Sequence, residues 1–239
     1  MEFRASGDTG LTVILGDNIS PETTARVLNL RTAIETAEFA GVIEVVPTYL
    51  SLLVHYDPLE TSQATLKEAI VALGNAESSR IRREVASWSF PVCFELAEFA
   101  PDLESVASHA NLSPADLIEA ITNTQQVVYM LGFAPGQPYM GDLPERLAIP
   151  RREAPVSNVP KGSVLTATGK TVIYPNSNPT GWHIIGRTPV PIFDKSSPRP
   201  ALLTPGDHVH FYEVGIDKYL DLETRLHSEL IDVATEFLL

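Results

Sequence analysis

The apolar pattern changes period several times along the chain. Leu11 to Leu15 is a short, β-prone run. Ser20-Pro21 then places a capping hydroxyl before a proline, which predicts a helix start. Val27, Leu30, Ile34 and Ala37 recur at spacings of three and four, one face of that helix, and Gly41 supplies a stop. Val42 to Val46 and Leu50 to Tyr56 read as strands, with Pro47 between them. Thr61 to Leu73 reads as a second helix, with Leu66, Ala69, Ile70 and Leu73 on one side. The order strand-helix-strand-strand-helix, with a weakly marked fourth strand, predicts a small ferredoxin-like layer. Asn75 to Arg83 has no apolar period and reads as a linker.

From Glu84 the texture differs. Val85 to Phe94 reads as a strand, and two short helices follow, Asp102 to His109 and Ser113 to Thr122. The second opens on a capping box, with Asp116 in the place of glutamate. Gln126 to Phe133 is a strongly apolar strand. Between Gly132 and Asp194, ten prolines and seven glycines occupy 17 of 63 positions. Average usage is about 12%. Short β-prone runs interleave with these breakers: Ser163–Ala167, Thr171–Tyr174, Trp182–Gly186, Pro191–Phe193 and Asp207–Tyr212. Many short strands with frequent turns predict a barrel or sandwich. Interleaved aromatic and β-branched residues argue against disorder. Leu222, Leu226, Leu230, Val233 and Phe237 then predict an amphipathic C-terminal helix. The expected class is α+β, with an N-terminal domain over 1–83, a β-barrel domain over 84–216 and a helix over 217–239.

Charge narrows the partners. The net charge is −13, which argues against nucleic acid or an anionic membrane surface. Residues 132–200 carry eight basic and four acidic residues, so this segment is +4 and the remainder −17. Such a segment suits a small carboxylate or phosphate, and equally a chance clustering of surface charge. The first ten residues lack an apolar signal region, and no run approaches the ~20 apolar residues of a spanning helix. A cytoplasmic location is expected.

Gly169-Lys170-Thr171 resembles the end of a phosphate-binding loop, but the earlier glycine is replaced by Val164 and no helix follows. His208 and His210 share a strand face without a third ligand, so no metal is expected. Cys93 sits in an apolar run and reads as a buried thiol. No nucleophile elbow, zinc-helix motif or paired cysteines occur, and the catalytic residues stay unassigned. What remains is loop chemistry: glycines that let backbone N–H groups approach a ligand, and arginines suited to clamping a carboxylate. Turns of a barrel explain the same composition.

The order of residues adds more. The runs GFAPGQPYMGDLPERLAIPRREAPVSNVPKGSV and TVIYPNSNPTGWHIIGRTPVPIFD resemble the family of the 5-oxoprolinase B component. That family is also known as allophanate hydrolase subunit 1 or Kip-type kinase inhibitors. GDTGLTVILGD, VVPTYLSLLVHYDP and PDLESVA extend the resemblance over about residues 5 to 214. It implies a cyclophilin-like barrel as the second domain. It implies two partners, a second cyclophilin-like protein (the C component) and a third protein (the A component). Together the three open 5-oxoproline to L-glutamate with ATP. It also leaves open a carboxyltransferase or allophanate-hydrolase role on a urea-like amide, and non-enzymatic inhibition of a histidine kinase. A prolyl isomerase, suggested by barrel likeness alone, has no signature here.

The matching positions implied to contact substrate or partner are Phe133, Pro135, Gly136, Tyr139, Arg151 and Gly162, followed by Ser163, Tyr174, Trp182, Arg187 and Thr188. The chain departs from the family at Ile121 (usually His), Gln126 (Tyr), Gln137 (aromatic), Val156 (Arg) and Thr180 (often Gly). Loss of that histidine and arginine removes a possible proton carrier and an anion clamp, so a related lactam, amide or urea-like substrate stays open.

Overall fold

A computed structural model describes residues 1–75, 85–95 and 97–239. They fall into two compact units, Met1–Glu84 and Val85–Leu239. The expected linker lies almost wholly outside the described residues.

The first unit runs β1 (Glu2–Ala5), β2 (Gly10–Ile14), α1 (Pro21–Ala37), β3 (Val42–Pro47), β4 (Ser51–Tyr56) and α2 (Gln63–Asn75). Ser20 caps α1 by accepting the Thr23 N–H at 3.2 Å, with Pro21 in the first turn. Val27, Leu30 and Ile34 of α1 join Leu66 and Ile70 of α2 over the inner face of an antiparallel sheet. That sheet has the order β1-β2-β4-β3. β2-α1-β3-β4-α2 follows the expected ferredoxin-like succession. The fourth position, however, is taken by β1, an N-terminal strand that sequence patterning did not mark. β1 is almost wholly exposed and gains its hydrogen bonds by folding back on β2, with Phe3 opposite Val13.

The second unit begins with β5 (Ser87–Val92), α3 (Leu103–His109), α4 (Pro114–Thr122), β6 (Gln126–Leu131) and β7 (Pro138–Gly141). It continues with β8 (Val156–Val159), β9 (Ser163–Ala167), β10 (Lys170–Ile173), β11 (Asn178–Thr180), β12 (His183–Arg187) and β13 (His208–Glu213). α5 (Ile216–His227) and α6 (Val233–Phe237) end the chain. Ser113 and Asp116 form the reciprocal cap of α4 that their spacing predicts. Gly169 and Thr168, both at positive φ, make the two-residue turn between β9 and β10, so Gly169-Lys170-Thr171 is a hairpin.

Seven strands form one sheet in the order β12-β9-β10-β7-β6-β13-β5, a nearly closed barrel. Its ends meet where Cys93 and Arg187 exchange main-chain hydrogen bonds of 2.9 and 3.0 Å. Gly186 permits this approach: a Cβ there would lie 2.7 Å from Val92 Cγ1 and 3.2 Å from Cys93 O. Gly186→Val should therefore prise the seam apart and destabilise the chain by roughly 2 kcal/mol, read as a lower urea midpoint.

Side-chain alternation sorts the strands' residues into two cores. Val164, Ile173 and Ile185 join Phe90, Val128 and Met140 in the main core, which α3 and α4 also line. Leu165, Val172, Tyr174 and Ile184 point the other way, into a separate cluster with Trp182 and Val159. His208 and His210 alternate with the core residues Val209 and Phe211. Among the described residues no group of three or more His, Cys, Asp or Glu could hold a metal ion, and no helix is long and apolar enough to cross a membrane.

The expected single C-terminal helix over 217–239 is two helices. Leu222 is buried, but Leu230 is 72% exposed and breaks the stripe. Glu229 turns left-handed (φ 52°), and Asp232 restarts the helix by accepting the Thr235 N–H at 2.8 Å. One straight helix would carry Phe237 about 16 Å beyond Leu226. The break instead returns Phe237 edge-on to Phe90, and Leu239 N donates to Ser87 O at 2.8 Å.

Candidate functional site

The second cluster forms on one face of β12-β9-β10-β7, and strand register assembles it. Tyr139 on β7 stands opposite Val172 on β10, which stands opposite Leu165 on β9. Tyr139 meets Trp182 edge-on at 5.9 Å between ring centroids. Phe133 stacks on Tyr174 at 6.3 Å and 23°. The Arg151 guanidinium lies 5.8 Å over the Trp182 ring. Five residues marked from the sequence, spread over 50 positions, thus meet on one surface. Arg151 and Phe133 are its exposed members.

The surrounding contacts set the electrostatics. Burial foremost pushes the Tyr139 phenol above its ordinary value, followed by neighbouring Tyr174; Arg151 opposes the shift. Burial likewise raises Tyr174, whose hydroxyl donates to Pro179 O at 3.1 Å. Both phenols are therefore neutral at ordinary pH, and Arg151 is the cation of this face. Trp182 and Tyr174 are buried in this cluster, so a ligand meets its exposed members: a carboxylate can pair with the Arg151 guanidinium.

Phe133 carries backbone strain. Its φ is 67°, where side chains other than glycine's are disfavoured, yet it is 67% exposed. An exposed aromatic in that conformation fits a contact surface better than a packing role. Phe133→Gly should relieve the strain and lose the Tyr174 stack, leaving stability within about 1 kcal/mol of the parent. Its ligand or partner affinity should fall, which titration calorimetry against the purified partner checks.

The other marked residues go elsewhere. Ser163 is hydrogen-bonded through its main chain to Tyr174 and stands opposite Arg187. Its hydroxyl is buried and has no hydrogen-bond partner among the described residues. Gly162 and Thr188 meet through their backbones, with Thr188 N donating to Gly162 O at 2.9 Å. Gly136, at φ 74°, packs against Phe193, where a Cβ would be 2.8 Å from the ring; Pro135 beside it is exposed. The Arg187 guanidinium does not join Arg151. It lies 4.6 Å over Phe99, whose ring packs on Tyr219 at 4.8 Å, and the Tyr219 hydroxyl bonds Glu223 at 3.0 Å. Arg187 thus tethers α5. Cys93 is buried and its thiol is pushed up by that burial, which leaves it a poor nucleophile.

The departures from the family pattern also separate. Ile121 is fully buried in the main core. Gln126 is fully buried, and neither end of its amide has a hydrogen-bond partner among the described residues. Gln137 closes the Phe133 turn, its main-chain O accepting from Gly132 N at 3.1 Å. Val156 packs against the aromatic cluster. The Thr180 hydroxyl accepts the Trp182 N–H at 2.9 Å. Val156 and Thr180 border the aromatic cluster.

Sequence patterning passed over Asp102 and Arg152, which form an ion pair at the edge of this face. Arg152 was visible beside Arg151, but its partner lies 50 residues away. A cleft of about 460 Å³ in the first unit, bordered by Ile43, Glu44, His55 and Asp57, contains none of the marked residues.

Comparison with known proteins follows the same outline. Residues 1–203 match the family model for the carboxyltransferase domain, subdomains C and D. The chain is 36% identical over 227 residues to the B component of 5-oxoprolinase from Bacillus subtilis (strain 168), covering 89% of this chain and 92% of that protein. The urea amidolyase of Lachancea kluyveri is 26% identical over 242 residues, covering 89% of this chain and 13% of that protein. The crystal structure of TTHA0988 superposes with a TM-score of 0.75 at 32% identity. This chain is covered to 86% there and spans only 40% of that longer chain.

Proposed function

Because this chain belongs to the carboxyltransferase domain family that includes the B component of 5-oxoprolinase, we propose that it is one subunit of an ATP-dependent, cytoplasmic amidohydrolase. The reaction is opening of 5-oxoproline by water to L-glutamate, coupled to conversion of ATP to ADP and phosphate. The observation that carries the reading is Arg151 over Trp182 on a neutral aromatic face. 5-Oxoproline is a flat lactam bearing one carboxylate. Its carboxylate suits the exposed guanidinium, and its ring suits the exposed Phe133 ring.

The chemistry is shared with partners. The cyclophilin-like barrel of this chain pairs with a second cyclophilin-like protein, the C component, and the A component completes the enzyme. Two longer relatives support this, since the matched region is only part of each of their chains. Phe133 and the face around it are the contact surface. The sole phosphate-loop-like run of this chain, Gly169-Lys170-Thr171, is a hairpin turn that does not fit a nucleotide. ATP is therefore assigned to the assembly. What this chain does is bind and orient: Arg151 fixes the carboxylate, and the buried Trp182 ring beneath it holds the guanidinium in place.

The test is to co-purify this chain with the C and A components and assay 5-oxoproline-dependent ATP hydrolysis. No complex, or no turnover of any lactam or amide, sinks the reading. Val156 packs against the aromatic cluster at a position where the resemblance implies arginine, which favours a second substrate class. A urea-like amide without a carboxylate needs one clamp fewer. Turnover of such an amide but not of 5-oxoproline would select it.

A further inference from the structure

Asp102 stands at the N-cap of α3 but does not cap it: its carboxylate bonds no N–H of that helix. An aspartate there ordinarily stabilises a helix by about 1 kcal/mol through such a bond. Here both oxygens are engaged elsewhere. Oδ2 accepts the Ile184 N–H at 2.8 Å, and Oδ1 accepts from Arg152 Nη1. The Asp102 N–H donates in return to Ile184 O at 3.0 Å. The start of α3 is thereby latched to β12, two residues beyond Trp182.

The Arg152 loop is fastened to the same place. Arg152 N donates to Gly181 O at 2.8 Å, and His183 Nε2 lies 3.0 Å from Pro150 O. Both neighbours of Arg151 are thus fixed to both neighbours of Trp182. The Asp102 and Arg152 side chains are only 12% and 28% exposed, whereas Arg151 faces solvent. Consecutive arginines have divided their work: one is anchored, and the other is presented. A local capping rule is broken at Asp102, and such breaks concentrate where function needs the group elsewhere.

We propose that Asp102 and Arg152 are positioning residues that hold Arg151 over Trp182 and so preset the cation for the ligand's anionic group. The ligand half of this inference rests on the functional reading above; the geometric half stands apart from it.

Two measurements decide the matter. The Arg151 side-chain NMR resonances, identified by their loss in Arg151→Ala, are expected upfield through the Trp182 ring current. Arg152→Ala, and the milder Asp102→Asn that can still bond Ile184 N, should return them towards random-coil values. An unchanged shift in both variants overturns the proposal. In the assembled enzyme, Arg152→Ala should raise KM for 5-oxoproline about tenfold with kcat within about twofold. In the Arg151→Ala background the same change should have no further effect, because Arg152 acts through Arg151. Equal losses in both backgrounds would point to a general structural role and also overturn it. If the parent complex turns over no lactam or amide, the functional reading fails, while the NMR result still decides the positioning.

Discussion

Gly162→Ala is expected to cost the chain about 4 kcal/mol of stability, a large part of the ~5–15 kcal/mol typical of a domain. Gly162 sits at φ 80°, and a Cβ would lie 2.3 Å from the Thr188 carbonyl oxygen. The left-handed backbone alone costs a non-glycine residue roughly 1–2 kcal/mol. The clash is with backbone, so no rotamer relieves it. Moving Thr188 away weakens two main-chain bonds, Thr188 N to Gly162 O at 2.9 Å and Gly162 N to Tyr174 O at 2.8 Å. Each is worth about 1 kcal/mol. Urea unfolding followed by far-UV circular dichroism should show a lower midpoint at an unchanged slope. Gly181→Ala is the control, since nothing lies within 4 Å of its added Cβ. A Gly162→Ala midpoint equal to that of Gly181→Ala would refute the account.

Arg151→Ala is expected to act on binding and leave the fold intact. Arg151 is exposed, and its contact with Trp182 contributes roughly 0.5–1 kcal/mol at such a site. The thermal midpoint should hardly move. A charge-assisted bond to a carboxylate is worth about 1.5–3 kcal/mol, so KM for 5-oxoproline in the assembled enzyme should rise about 10- to 100-fold. Arg151→Lys should recover only part of this, because an ammonium cannot match the planar fork. Unaltered KM together with unaltered partner affinity would remove Arg151 from the site.

Arg187→Ala contrasts with this. Both arginines match the family pattern, and the chain's order alone does not separate them. The structure sets Arg187 against Phe99 and Tyr219, so its loss should loosen α5 before it affects ligand. Limited proteolysis near the C-terminus should reveal that loosening. The difference arises because a strand residue's side chain is claimed by whatever packs over it. The claimant here, Tyr219, lies 32 residues further along the chain.

The features legible in the amino-acid order were those with a local cause. Ser20-Pro21 and the Ser113–Asp116 pair start helices through bonds three residues long. β9 occupies Ser163–Ala167, the bounds its β-prone run predicts, because turn residues close it at both ends. The family resemblance, read from the order of glycines, prolines and aromatics, agrees with the comparisons. What tertiary structure decided was everything with a distant cause. β1 is a strand only because β2 offers an unpaired edge. The C-terminal stripe breaks at Glu229 because Phe237 has a place beside Phe90. Arg151 and Arg152 are chemically alike and adjacent, and it is Arg152 that pairs with Asp102, 50 residues away. Local bonding is written in spacing; the choice between equivalent side chains waits for the partner that folding brings.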